Sequence, residues 1–209
     1  PESFESEGYD RTSMELPACQ NRLIDEIAKV QPHVVVVLHN GSAVELPWAD
    51  RVSAILELYL GGEGVGEAAD QLLYGETNPS GHLAETFPLR LQDNPSYLHF
   101  PGNDERVAYG EDVFVGYRYY DTKQVPVRFA FGHGLSYTEF AYSNLQLSAP
   151  ALQDGQTVTV SVDVTNTGSA AGAEIVELYV ENPPADYLRA KKELKGFQKV
   201  MLAPGETKR

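Results

Sequence analysis

The run HVVVVLHNGS, residues 33–42, most constrains the fold. Successive side chains of a strand point to opposite faces, so an unbroken β-branched run leaves no face for water. Val34 to Leu38 therefore reads as a strand buried on both sides, ending at the turn signal Asn40-Gly41. Helices must supply that cover, and the flanking sequence has the helical period. In PACQNRLIDEIAKVQP, Cys19, Leu23, Ile27 and Val30 share one stripe, opened by Pro17 and closed by Pro32. RVSAILELYL reads as a second buried strand, GVGEAADQLLYG as a helix stopped by Gly75, and NPSGHLAETFP as a turn entering a short strand. This order predicts an α/β fold, a mostly parallel sheet with helices on both faces, an α/β sandwich.

From Ser136 onward the period changes to two. TVTVSVDVTNTG places Val158, Val160, Val162 and Val164 on one face, and AEIVELYVENP and KELKGFQKVML follow with only turns between them. An all-β sandwich of the fibronectin or immunoglobulin kind is predicted, truncated at about four strands where about seven are usual. The expected domains are 1–135, α/β, and 136–209, β, with a long aromatic connection over about 92–135. The chain opens in mid-phrase at Pro1 and stops inside the β domain, so both ends read as cut.

A net charge of −14 argues against nucleic acid and against an anionic membrane surface. No apolar run approaches the ~20 residues of a membrane span. The single cysteine, Cys19, excludes an internal disulfide and reads as a small buried helix residue. It fits a reducing compartment, which favours a cytoplasmic over a secreted setting.

Several motifs resolve to structure. GGEGVGEAAD lacks the spacing of a dinucleotide or Walker loop and reads as a tight turn before a helix. The five histidines form no metal-type pair, and neither metal nor cofactor is expected. Ser42 and Ser136 sit in no nucleophile elbow. Asn40 heads a glycosylation sequon, but at the carboxyl end of a parallel strand its loop is read as facing a site or an interface rather than carrying a modification. VFVGYRYYD, with Phe114, Tyr117, Tyr119 and Tyr120, could stack on a sugar or serve as an aromatic strut. Exposed coplanar rings would favour the first and buried rings the second.

The segment ESEGYDR, residues 5–11, concentrates Glu5, Glu7, Asp10 and Arg11. It reads either as a solvated acidic loop or as a site. Gly8 allows close backbone approach beside Glu7, and Tyr9 could shield that carboxyl from water. Desolvation raises a carboxylic acid's pKa, as a general acid at neutral pH requires. Glu5 reads as a solvated neighbour.

In order along the chain, ESEGYDR, VVVVLHNGSAVELPW, ILELYLGGEGVGEAADQLLYGETNPSGHLAETFP, VFVGYRYYD and FAFGHGLSYTEF resemble the C-terminal part of glycoside hydrolase family 3, the β-glucosidase and β-xylosidase family. The resemblance implies a three-part enzyme: a (β/α)8-like barrel bearing a nucleophilic aspartate, an α/β sandwich contributing the acid/base, and a fibronectin III-like domain. On the motif, the acid/base falls on Glu7, with Asp10 and Arg11 holding the loop. The nucleophile has no counterpart in this chain. The implied function is a retaining exo-acting β-glycosidase, most simply a β-glucosidase, working without cofactor on a β-linked glucoside together with the missing barrel, and inactive as this piece alone. The competing classes are a non-catalytic carbohydrate-binding or scaffold module, and a serine hydrolase.

Overall fold

The computed structural model describes residues 4–103 and 106–209. Asp104 and Glu105, within the aromatic connection, lie outside the described residues, as does the opening tripeptide. The chain forms two compact units. One comprises the residues through Ala69, Leu83–His133 and Tyr179–Glu193; the other comprises Asp70–His82, Gly134–Leu178 and Leu194–Arg209.

In the first unit, helix α1 (Ala18–Val30) leads to strand β1 (Val35–Leu38), which pairs in parallel with β2 (Ala54–Glu57). The register sets Val35 against Ala54 and Leu38 against Glu57, so both strands end at the same level. A single 3-10 turn, Ala49–Arg51, lies between them. Helix α2 (Val65–Leu73) follows in the chain, counted with the second unit from Asp70 onward, and Gly75 beyond it adopts the left-handed φ of 76° that ends the helix without strain. Strand β3 (Phe87–Pro88) pairs antiparallel with β4 (Val127–Phe129). The described pairings are thus one parallel and one antiparallel pair, rather than one continuous parallel sheet.

The core gathers Met14, Leu38, Ala43, Val44, Leu46, Trp48 and Phe87. Trp48 is fully buried, and its indole N–H donates to Asn21 Oδ1 at 2.9 Å, which satisfies the one polar atom it buries. That bond and Ile24, packed on the core, fix which face of α1 turns inward. The sequence stripe does not: Leu23, Ile27 and Val30 are exposed, Val30 at 85%. Cys19 on the same stripe is also exposed, which corrects its reading as a buried residue. The aromatic connection contains a short helix, α3 (Tyr117–Lys123).

The second unit holds most of the β part, Tyr179–Glu193 being counted with the first. Strands β5 (Phe140–Leu147), β6 (Val160–Asn166) and β9 (Thr207–Lys208) form an antiparallel sheet, and β7 (Gly172–Glu181) pairs with β8 (Lys192–Leu202). Val164, Ala173 and Leu202 are its buried apolar residues among those described, alongside the fully buried Asn166. One side chain joins two distant phrases of the sequence. Asn78, from NPSG, accepts hydrogen bonds from Ser136 Oγ (2.9 Å) and the Tyr137 N–H (2.8 Å) of GLSY, and donates to Ala171 O.

Candidate active site

Glu7 lies in a tight turn. Ser6 and Tyr9 form an antiparallel bridge, leaving Glu7 and Gly8 as the central pair, and the Gly8 N–H donates to Ser6 Oγ at 3.3 Å. Glu7 is exposed and Tyr9 half-exposed, so the described residues do not surround this carboxyl with apolar groups. A Cβ on Gly8 would meet nothing closer than Ser6 Oγ at 4.0 Å, so within this chain no close approach requires glycine there.

The turn is tied down on both sides. Before it, Glu5 Oε1 accepts the Gly41 N–H at 2.8 Å. After it, Arg11 Nη2 donates to Ser42 Oγ at 2.7 Å and to Ala43 O at 2.9 Å. Both anchors fall on one segment, the turn that leaves β1. Glu5 is half-buried, not the solvated neighbour expected. Asp10 is exposed, and the bonds that hold the loop come from Glu5 and Arg11. The sequence offered one signal for the Glu5 contact: a glycine at 41, directly after a strand end. Its partner is 36 residues away, beyond any local pattern.

The anchor segment is itself fixed from inside. Asn40, 4% exposed, donates its amide to Ser42 O at 2.9 Å, closing the turn on itself and keeping the sequon nitrogen in a hydrogen bond. Beside it stands Glu57, the last residue of β2, whose Oε1 accepts the Tyr59 N–H at 2.8 Å. Tyr59 holds a left-handed φ of 47°, uncommon for an aromatic residue and costly unless its surroundings enforce it. Burial pushes the Glu57 carboxyl above the usual carboxylate range, against the pull of the Tyr59 N–H and Asn40, while Glu85 and Glu5 add to the rise. Burial likewise raises the Tyr59 phenol, with the Glu85 charge adding to it.

A hollow of about 220 Å³ beside Arg11 is lined by Ser13, Ser42, Glu85, Thr86 and Asn94 among others; Glu7 is not part of its wall. The serine readings do not assemble. Ser42 Oγ accepts from Arg11, and Ser136 Oγ donates to Asn78; neither partner is a histidine. The aromatic rings are packed rather than presented. Tyr120 is buried with an edge-on contact to Tyr119, and Tyr117 packs on Phe131 and edge-on to Tyr179. Only Tyr120 of the four rings is buried; Phe114, Tyr117 and Tyr119 are half-buried. Among the described residues no three histidine, cysteine or acidic side chains gather as a metal set, and no helix is long and apolar enough to cross a membrane.

The profile described as Glycosyl hydrolase family 3 C-terminal domain matches residues 1–137, and that of a Fibronectin type III-like domain matches residues 174–209. Thermostable beta-glucosidase B of Acetivibrio thermocellus is 56% identical over all of this chain, which spans 28% of that protein. Probable beta-glucosidase I of Emericella nidulans is 50% identical over 98% of the chain and 25% of its own length. Among solved structures, the GH3 beta-glucosidase of Bifidobacterium adolescentis superposes with a TM-score of 0.94 at 44% identity, covering 100% of this chain and 31% of that one. The Kluyveromyces marxianus beta-glucosidase in complex with glucose gives a TM-score of 0.89 at 45% identity, covering 97% of this chain and 24% of that one. The chain spans about a quarter to a third of these proteins. Its matched profile covers well over half its residues, its two modules are a family C-terminal domain and a fibronectin III-like domain, and it belongs to glycoside hydrolase family 3.

Proposed function

We propose that this chain is the C-terminal portion of a retaining exo-acting β-glucosidase, with Glu7 as general acid/base and the nucleophilic aspartate on a barrel domain outside this chain. The observation that carries the reading is the exposed, doubly tied turn with Glu7 at its centre, in a chain whose relatives named beta-glucosidase are three to four times its length. A carboxyl displayed at a tip is suited to serve a surface supplied by another domain. The barrel would then provide the desolvation that the chain's own residues do not. On this reading the fold is a mostly parallel α/β sandwich, with β1 and β2 as its parallel pair and their carboxyl ends toward the site.

In this mechanism two carboxyl groups stand about 5–5.5 Å apart. The aspartate attacks the anomeric carbon while protonated Glu7 gives its proton to the leaving oxygen. Glu7, now a carboxylate, then takes a proton from the water that hydrolyses the glycosyl-enzyme. Without the nucleophile the first displacement cannot start, so the isolated chain turns over no aryl β-glucoside.

The test is Glu7→Ala in the full-length enzyme. Turnover of an unactivated disaccharide is expected to fall by about 10²–10⁴, the usual worth of general acid–base assistance. A dinitrophenyl glucoside, whose phenol leaves as its anion, keeps its first step. Azide restores turnover on it and yields the β-glycosyl azide. Equal losses on both substrates without azide rescue would remove Glu7 from this role.

A further inference from the structure

The sequence separates Glu5 from Glu7 by one residue and Arg11 from Glu7 by three, and the fold brings both flanking charges to the same three-residue segment. Glu5 meets Gly41, and Arg11 meets Ser42 and Ala43. A turn held at one end can swing about that end. Held at both, on a segment that Asn40 closes from within, its tip has less freedom to move. The bonds are charge-assisted, the stronger class of hydrogen bond.

Gly41 supplies an independent observation. Its φ is not positive, so backbone conformation does not require glycine there. Space does. A Cβ at 41 would fall on the Glu5 carboxylate, with the carboxyl carbon at 3.1 Å. Glycine at this position leaves the N–H bare enough for a carboxylate to dock on it. Because the displaced group is the end of a flexible side chain, an alanine would expel the contact without wrecking the turn.

We propose that Glu5 is a positioning residue that, with Arg11, registers Glu7 by docking both sides of its turn onto the bared Gly41 to Ala43 segment. This rests on Glu7 being the acid/base. Glu5 itself transfers no proton in this scheme. It acts only through the place it gives Glu7, and the misplacement of a reacting group by about 1 Å can cost roughly 10²-fold.

The experiment is a mutant cycle in the full-length enzyme, assayed on cellobiose and on 2,4-dinitrophenyl β-glucoside, with circular dichroism to check folding. Glu5→Ala is expected to lower kcat on cellobiose by about 10–10²-fold with KM little changed, while kcat/KM on the dinitrophenyl substrate, which reports the first step alone and needs no acid there, is nearly spared. Gly41→Ala, which leaves Glu5 in the chain but displaces it, reproduces that pattern by a second route. Glu5→Gln recovers most of the loss, because an amide oxygen still accepts the Gly41 N–H. The double variant Glu5→Ala with Glu7→Ala is no slower than Glu7→Ala alone, since residues acting as one unit are not additive. Multiplicative losses in the double variant, equal losses of kcat/KM on both substrates, or a Gly41→Ala enzyme with normal cellobiose turnover would each overturn the positioning role. A Glu7→Ala enzyme without leaving-group selectivity would instead overturn the acid/base reading and the positioning role with it. The fault then shows in the single reference variant rather than in the cycle.

Discussion

Asn166 offers the sharpest test of how the β part holds together. It ends β6, is fully buried, and its amide spends every hydrogen-bonding direction. Nδ2 donates to Ala170 O (2.8 Å) and Leu202 O (3.1 Å); Oδ1 accepts from Thr138 Oγ1 (2.7 Å) and the Gly168 N–H (3.1 Å). Asn166→Ala strands four partners drawn from three segments: Thr138, the turn holding Gly168 and Ala170, and Leu202. A buried polar group left without a partner costs about 1–3 kcal/mol. The Thr138 hydroxyl can rotate to another acceptor, and the space vacated can admit water for the carbonyls, so the lower part of that range applies. The loss should be about 3–5 kcal/mol, a large share of a domain's ordinary stability. Hydrogen exchange by mass spectrometry on peptides from β6 and β8 is the suitable assay. Trp48, the only tryptophan, sits in the other unit and reports there. At 1.4 kcal/mol per tenfold, β6 amides should exchange about two to nearly four decades faster. By contrast, Thr165→Ala, which removes the exposed hydroxyl pair with Thr207, should cost under about 1 kcal/mol. Asn166→Asp adds a signature in pH. Its second oxygen would face the two carbonyls, so the fold favours the protonated acid and raises its pKa above the unfolded value near ~3.9. Stability is then retained below that value and lost as pH rises through the folded pKa. An Asn166→Ala protein with unchanged β6 exchange, or an Asp variant that grows more stable toward neutral pH, would refute the account.

Glu57→Gln should stabilise the protein, and increasingly so as pH rises. The raised Glu57 carboxyl means that folding favours its protonated form below the ordinary value of 4.5 and opposes ionisation above it, whereas glutamine keeps the acceptor for the Tyr59 N–H; urea titrations across pH check this. Gly172→Ala should destabilise by about 1–3 kcal/mol through overpacking, measured by the same exchange method, since its Cβ would lie 2.7 Å from Asn78 Nδ2 and 2.9 Å from Thr138 Cγ2.

The order α1, β1, β2, α2 was legible because each element carries its own period and its own stop: Pro32, Asn40-Gly41 and Gly75. Strand β5 was harder to read. Its register shifts between Ser143 and Gln146, with Asn144 at a φ of 53°, so the apolar alternation of Phe140 and Tyr142 changes phase before Leu145 and Leu147. The face of α1 misled for a different reason. Helical period shows that a stripe exists, but Trp48 and its bond to Asn21 decide which side meets the core. At the candidate site the motif pointed to Glu7 and Arg11, yet the anchoring of Glu5 depends on where the chain returns 36 residues later. No periodicity encodes a meeting of that kind.

The buried amide of Asn40 has a consequence for how the protein can be made. In a eukaryotic secretory host the sequon meets the glycan-transferring machinery before the chain has folded, when Asn40 is still accessible. A glycan attached then sits on the nitrogen that must donate to Ser42 O, at a residue with 4% exposure in the finished fold. The bulk has nowhere to go, and the turn that receives Glu5 and Arg11 cannot close. Molecules carrying that extra mass are therefore expected to be enriched among the unfolded ones, which mass spectrometry of the soluble and aggregated fractions would check.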